Sequence, residues 1–247
     1  MKISTIYQKK NKIQALAVWL GLWAILSYWI ASPILMPSPL AVLRALLKIA
    51  TKGEALISLL LSSLRILLGL ALGIFFGLVL GLLAYGLRPA RALIDLPINL
   101  IKASPLASIT IILLTWVSSR SLASSIVGLV VLPNIYIGVV DCLDAIDPKL
   151  LEVKEVFQLG PLKSLRYIYL EELRQALPPA LIVSVGLAFK SGVSAEVLAL
   201  INRSIGDYIY HAKIYLDTAQ LFAWTLLIIF LSKFFEYLIL KFLRRLD

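Results

Sequence analysis

Two ionisable residues, Lys190 and Glu196, lie in an apolar stretch that is long enough to span a membrane. Such residues are costly in a bilayer and often mark a path for a solute or an ion. Six helical steps place them about 120° apart, so they need not touch each other. Lys190 could attract an anionic group or pair with a carboxylate on a neighbouring helix or subunit. We predict a translocation path lined by Ser184, Lys190, Ser191, Ser194 and Glu196.

The longest polar segment, Asp141 to Arg174, holds 12 of the 38 charged residues. Asp147 is a typical N-cap and Pro148 a typical first-turn residue, which predicts that a helix begins here. Its apolar residues Leu150, Val153 and Phe157 recur at helical spacing, with Lys149, Glu152 and Lys154 around them. A polar segment between apolar spans must lie in water, so we expect a soluble partner to dock there.

Four glycines at four-residue spacing form a stripe in another apolar stretch. They are Gly69, Gly73, Gly77 and Gly81. On a helix this spacing leaves one face without side chains, so that a second backbone can approach closely. The pattern predicts tight helix packing, within the chain or between subunits, and we favour packing within the chain.

The composition indicates an all-α membrane protein. Hydrophobic residues make up 60% of the 247 residues, against about 45–50% in soluble domains, and the mean hydropathy is +0.93. The net charge of +10 is concentrated beside apolar spans, as in membrane topology rather than nucleic-acid binding. One cysteine and one histidine exclude an internal disulfide and a His/Cys metal cluster.

About six stretches have the length that a membrane helix needs. They cover residues 14–34, 66–87, 103–119, 121–140, 179–200 and 218–240. If the N-terminus is cytoplasmic, 14 Lys and Arg residues lie on the inner side and 6 on the outer side, which favours cytoplasmic N- and C-termini. The polar segment is then cytoplasmic as well. We read residues 1–247 as a single membrane domain, with no repeat or linker.

Three further residues or segments lie at the expected interfaces. Arg65 and Lys102 are expected to extend to the membrane surface. Residues 38–49 are expected to form an outer amphipathic helix that is capped by Ser38, with Leu40, Leu43 and Leu47 facing lipid or protein.

The order of these features resembles the permease subunits of binding-protein-dependent ABC importers, of the aliphatic-sulfonate, taurine and nitrate type. The resemblance is carried by residues 35–39, 62–65, 147–152, 195–197 and 221–225. That family carries a cytoplasmic coupling motif: E-A-A, three residues, Gly, nine residues, I-x-L-P. Ile168-x-Leu170 fits its end. Both alanines are replaced, Gln158 stands for the turn glycine, and Glu171 stands for the closing proline. Gly160-Pro161 could make the turn instead.

The resemblance implies a type I importer permease fold of about six spans that works as a dimer, and we expect a dimer of identical copies. It implies a coupling helix between spans four and five in the region 141–174. The coupling residues carried over are Leu150, Glu152, Val153, Lys154, Phe157, Gln158 and Gly160.

The resemblance also implies the partners and the location. These are ATPase subunits that hold ATP and Mg, an extracytoplasmic substrate-binding protein, and a multi-pass location in the inner or plasma membrane. The chain itself would be no enzyme and would carry no cofactor. Its substrate would be a small solute, with an anion favoured by Lys190.

The alternative is a gradient-driven transporter or channel without an ATPase, in which Lys190 and Glu196 titrate or relay charge. A membrane-embedded enzyme is a more distant option, because paired carboxylates are lacking within the spans.

Overall fold

A computed structural model describes residues 2–243, with side chains described for all of these except 2–13, 88, 151, 153–155, 161 and 162. The regular structure in this range is helical. In chain order the helices are α1 (Lys2–Ile30), α2 (Pro39–Thr51), α3 (Gly53–Gly86), α4 (Arg88–Ala103), α5 (Leu106–Leu114), α6 (Ser119–Asp144), α7 (Pro148–Val156), α8 (Pro161–Ser164), α9 (Leu170–Ala176), α10 (Pro178–Leu198), α11 (Ile205–Ile214) and α12 (Thr218–Leu243). A π-helical turn, Leu165–Tyr169, joins α8 to α9.

The most extensive packing joins α3 to α6, and the glycine stripe forms the contact. A Cβ atom added at Gly73 would lie 2.7 Å from Val131 Cβ, and one at Gly77 would lie 2.7 Å from Ile135 Cβ. Gly69 and Gly81 face α6 in the same way. The stripe therefore lies against a helix of the same chain, which lets the two backbones approach closely.

Helix α10 packs against both members of this pair. A Cβ atom at Gly192 would lie 2.6 Å from Ile66 Cγ1 of α3. Phe189 is fully buried and stacks on Phe235 of α12, with the ring centroids 5.5 Å apart. The core therefore lies between α3, α6 and α10, and α12 covers one side of it.

Within the described residues, three helices are long and apolar enough to cross a membrane, namely α3, α6 and residues 178–199 around α10. The stretch predicted as span three is not one helix. Helix α4 and the nine-residue α5 meet at a bend of 103°, and together they form at most one broken span. Pro105 explains the bend, since proline has no N–H and holds Ser104 in extended backbone (φ −76°, ψ 137°). The count of six spans stays a prediction.

The predicted amphipathic helix is present as α2, and Ser38 is its N-cap, accepting a hydrogen bond from Ala41 N–H at 3.2 Å. Its buried face consists of Val42, Ala45 and Ile49. The leucines that were expected to face lipid or protein, Leu40, Leu43 and Leu47, are exposed on the other side.

Replacing Gly69 by alanine should destabilise the fold by about 1–3 kcal/mol, because the new methyl group would meet the backbone of Ser124, which cannot rotate away. Thermal unfolding of the purified protein in detergent measures this loss. Gly21→Ala is the matched control, since a Cβ atom at Gly21 meets nothing within 4 Å. Equal unfolding temperatures for the two variants would contradict the packing role of Gly69.

Candidate functional site

Glu196 lies at the end of α10 and is fully buried in a polar cluster. Its Oε2 accepts hydrogen bonds from Ser62 Oγ at 2.8 Å and from Gly206 N–H at 3.2 Å. Its Oε1 lies 3.3 Å from Arg65 Nη1. Ser62 Oγ in turn accepts a hydrogen bond from Ile205 N–H at 2.9 Å. The cluster therefore connects α3, α10 and the first turn of α11.

This arrangement satisfies two needs at once. A buried carboxylate needs a counter-charge and hydrogen-bond donors, and the N–H groups in the first turn of α11 need acceptors. Gly206 permits the contact, because a Cβ atom there would lie 2.5 Å from the carbonyl carbon of Glu196. The guanidinium group of Arg65 pairs with Glu196, a partner that the sequence did not predict, while its position at the membrane surface stays a prediction.

A cavity of about 480 Å³ lies between the α4–α5 bend and the middle of α6 and α10. Two of the predicted path residues, Lys190 and Ser191, line it. Lys102, which sequence reasoning placed at the membrane surface, lines it as well. The bend that sequence reasoning missed thus brings a second lysine to the cavity.

The other predicted path residues lie elsewhere. Ser184 is fully buried and accepts a hydrogen bond at 2.8 Å from Asn134 Nδ2, which also donates to the carbonyl of Ala180 at 3.0 Å. Ser194 lines a second cavity of about 730 Å³ that faces α12 and shares Lys190 with the first. Glu196 lines neither cavity. The structure therefore does not bring the five predicted path residues together at one cavity.

The polar segment begins as predicted, because Asp147 Oδ1 accepts a hydrogen bond from Lys149 N–H at 2.9 Å and caps α7. No other helix packs extensively against α7 in the described part of the chain. At its end, Val156 and Phe157 are 77% and 71% exposed. Val156 and Phe157, which we call the apolar tip, are thus exposed to solvent at the end of α7.

Four of the other predicted coupling residues are exposed in the same part of the chain. Leu150 is 37% exposed, and Glu152, Gln158 and Gly160 are exposed as well. Val153 and Lys154 belong to α7, and their side chains lie outside the described residues.

The turn after α7 is made by Gln158, which has a φ of 46°, and not by Gly160, which has no positive φ. The alternative turn at Gly160-Pro161 is therefore wrong.

Glu171, in α9, accepts hydrogen bonds from Arg174 at 2.9 Å and from Gln175 at 3.1 Å. These hydrogen bonds lower the pKa of its carboxyl group.

A second polar cluster, which sequence reasoning missed, joins α4 to the end of α6. Arg91 donates to both carboxylate oxygens of Asp144, at 3.2 and 2.8 Å, and Tyr136 donates to Asp95 at 2.6 Å. The only local signal was the i,i+4 spacing of Arg91 and Asp95.

The described residues contain no group of three or more His, Cys, Asp or Glu side chains that could hold a metal ion.

Replacing Glu196 by alanine should reduce the free energy of unfolding by about 3 kcal/mol, because it leaves Arg65 without its counter-charge. Thermal unfolding in detergent is again the measurement. Glu171→Ala removes a carboxylate that is 45% exposed and pairs with the partly exposed Arg174, and it should have a much smaller effect. Similar losses in both variants would contradict the structural role of Glu196.

Replacing Gln158 by glycine should stabilise the turn after α7, because a left-handed backbone conformation costs a residue with a Cβ about 1–2 kcal/mol, of which glycine's greater freedom when unfolded offsets part. We expect amide hydrogen exchange in α7 to slow by about two- to fivefold. Gly160→Ala, at a position without positive φ and with open space around it, should leave exchange unchanged. Faster exchange in the Gln158→Gly variant would contradict this account.

Comparison with protein families gives one match, to the model of the binding-protein-dependent transport system inner membrane component, over residues 69–247. A search of curated proteins finds no match. The family match covers most of the chain, from the middle of α3 onward, and includes the polar segment, the cavity and Glu196, but not Ser62 or Arg65. The chain therefore belongs to the family of inner membrane components of binding-protein-dependent transport systems.

Proposed function

We propose that the chain is the permease subunit of an ATP-driven importer and that it forms the path for a small solute delivered by an external binding protein. Family membership supports a transport role. The observation that carries the coupling to an ATPase is the exposed apolar tip formed by Val156 and Phe157. In water such a tip is unfavourable unless a partner covers it.

The polar segment is the part of the chain that fits a soluble motor. In this proposal α7 and the tip enter a cleft on a cytoplasmic ATPase subunit, which holds ATP and Mg. Glu152 and Gln158 lie at its exposed surface. The proposal places both termini in the cytoplasm, in agreement with the distribution of Lys and Arg.

Two contacts of residues next to α7 in the chain would transmit a movement of α7 to the cavity. Asp144, shortly before α7, is bound by Arg91 of α4, and α4 carries Lys102 at its other end. The ring of Tyr169 in the π-helical turn meets Tyr85 of α3, with centroids 5.7 Å apart. Displacement of the polar segment by the ATPase would therefore shift α4 and α3 together, which is the kind of two-state rearrangement that transport needs.

The importer would act as a dimer of two identical copies in the inner or plasma membrane, each with six spans in a type I permease fold. The cavity at Lys190 opens at the surface of the single chain, so a second copy could complete the path. Lys190 and Ser191 would line that path.

Phe157→Ala should weaken binding of the ATPase subunit by about 10- to 150-fold, since fully burying a phenylalanine side chain contributes about 1.5–3 kcal/mol. Co-purification of the co-expressed ATPase after mild detergent extraction measures this. Phe230→Ala is the control, because Phe230 is 63% exposed but lies on α12, away from the tip. ATPase binding that is unchanged by Phe157→Ala would contradict docking at this surface.

Co-purification combined with an uptake assay tests the alternative of a gradient-driven transporter. A stable ATPase partner together with ATP-dependent uptake supports the importer. Proton-coupled uptake by the purified chain alone would overturn the proposal. The Glu196 carboxylate favours the importer, because its bonds to Ser62, Arg65 and Gly206 make it part of the packing.

A further inference from the structure

A cavity of about 350 Å³ between α10 and α12 is lined by three charged residues. Lys190 lines it from α10, and Lys233 and Glu236 line it from α12. Most of its other lining residues are apolar, namely Val183, Leu187, Phe189, Ile228 and Ile229. Both helices belong to stretches that the sequence predicts as membrane spans, where a charged side chain without a partner is costly. Neither Lys233 nor Glu236 has a part in the function proposed above.

Glu236 pairs here with a lysine that is a weak partner. Its Oε2 accepts a hydrogen bond from Lys233 Nζ at 2.7 Å, but the side chain of Lys233 is 70% exposed, against 14% for Glu236. An ion pair with so exposed a lysine contributes little to stability. The other oxygen, Oε1, faces α10, because a Cβ atom added at Gly186 would lie 3.8 Å from it. The carboxylate therefore lies against α10 with only an exposed counter-charge among the described residues.

Lys190 has no carboxylate within ion-pair distance in the described part of the chain. Besides the cavity between α10 and α12, it lines the cavity at the α4–α5 bend and the one of about 730 Å³ that faces α12. Among the described residues, Glu236 is the only carboxylate that lines any of these three cavities. Each of the two residues is thus the nearest available answer to the other's unbalanced charge.

The positions of the two residues on their helices allow them to meet. Lys190 follows Gly186 by four residues, so both lie on one face of α10, about 6 Å apart along the axis. Long side chains of a helix lean toward its N-terminus, which directs Lys190 toward Gly186. The four-carbon stem of a lysine extends about 6 Å. The ammonium group of Lys190 can therefore reach the carboxylate beside Gly186 through a change of side-chain rotamer.

We propose that Glu236 is the counter-ion of Lys190 and that its carboxylate exchanges the exposed Lys233 for Lys190 in the membrane. When the Lys190–Glu236 pair forms, it ties α10 to α12 and holds the ammonium group on the α12 side of α10. When the pair opens, the ammonium group is free to turn to the other cavities. Glu236 is thus a positioning residue that acts through Lys190. The inference rests on the proposed transport function, in which Lys190 lines the path.

A double-mutant cycle on the purified chain in phosphatidylcholine nanodiscs tests the pair by thermal unfolding. Lys190→Met and Glu236→Gln should each lower the unfolding temperature by about 4 °C or more, since each leaves a charge without its partner. The double variant should unfold within about 2 °C of the less stable single variant, because one interaction is lost only once. The control cycle, Lys233→Met with Glu236→Gln, should be nearly additive. Additive losses for Lys190 and Glu236 would overturn the proposal.

Exchange of the two charges separates an ion pair from a role in filling space. Lys190→Glu alone brings two carboxylates to one cavity and should lower the unfolding temperature more than Lys190→Met does. Adding Glu236→Lys restores a pair of opposite charges and should recover most of this loss, a gain that side-chain volume cannot explain. A doubly exchanged variant that is no more stable than Lys190→Glu alone would overturn the proposal.

The reactivity of a cysteine at position 190 measures the field of the carboxylate directly. Lys190→Cys, in a Cys142→Ser background, is treated with methanethiosulfonate reagents that carry an ethylammonium or an ethylsulfonate group. Glu236→Gln should lower the ratio of the cationic to the anionic rate by about fivefold or more, because a nearby carboxylate attracts the first reagent and repels the second. Glu171→Gln, at an exposed carboxylate that lines none of the three cavities, should leave the ratio unchanged.

An unchanged ratio in the Glu236→Gln variant would overturn the proposal. These measurements use the chain alone, whereas the importer proposal is tested through binding of the ATPase at Phe157. A chain whose ATPase binding depends on Phe157, but in which Lys190 and Glu236 are not coupled, would overturn only this inference.

Discussion

The close approach of α3 and α6 is the constraint on which the rest of the bundle depends. Lipid tails are as apolar as the side chains between helices, so helices in a bilayer associate largely through tight packing and hydrogen bonds. The glycine stripe of α3 supplies the tight packing, and Ser124 adds a hydrogen bond to the carbonyl of Arg65 at 2.9 Å. Helix α10 then packs on this pair and brings Glu196 and Lys190 to their positions.

The polar residues fall into two groups according to their positions in the packing of α3, α6 and α10. Glu196, Ser62 and Ser184 are buried, and their hydrogen bonds hold helices together. Lys102 and Lys190 are exposed to a cavity and have no ion-pair partner in the described range. Because a satisfied buried group stabilises one packing, we assign structural roles to the first group. A role of Lys190 in the translocation path stays a prediction.

The sequence predicted the features that depend on neighbouring residues. The N-caps at Ser38 and Asp147 are confirmed, since a cap needs only a side chain within a few positions. The transport family was also recognisable, because its motifs occur in order. The partner of Arg65 was not predictable, as Glu196 lies 131 positions away. The break before Pro105 had a local signal, but hydrophobicity alone predicted a continuous span. The turn after α7 lies at Gln158, whereas the sequence had left Gly160-Pro161 open as an alternative.

The central claim is that the polar segment faces the cytoplasm and carries the contact with the ATPase. The most direct measurement is labelling of a single cysteine, Gly160→Cys, in a Cys142→Ser background with a membrane-impermeant maleimide. This position is exposed and has open space around it, and its substitution leaves Val156 and Phe157 in place. The account predicts no labelling in intact cells, labelling after the membrane is permeabilised, and protection when the ATPase is bound. Labelling in intact cells would place this surface outside, where no ATP-driven motor could reach it, and would contradict the account.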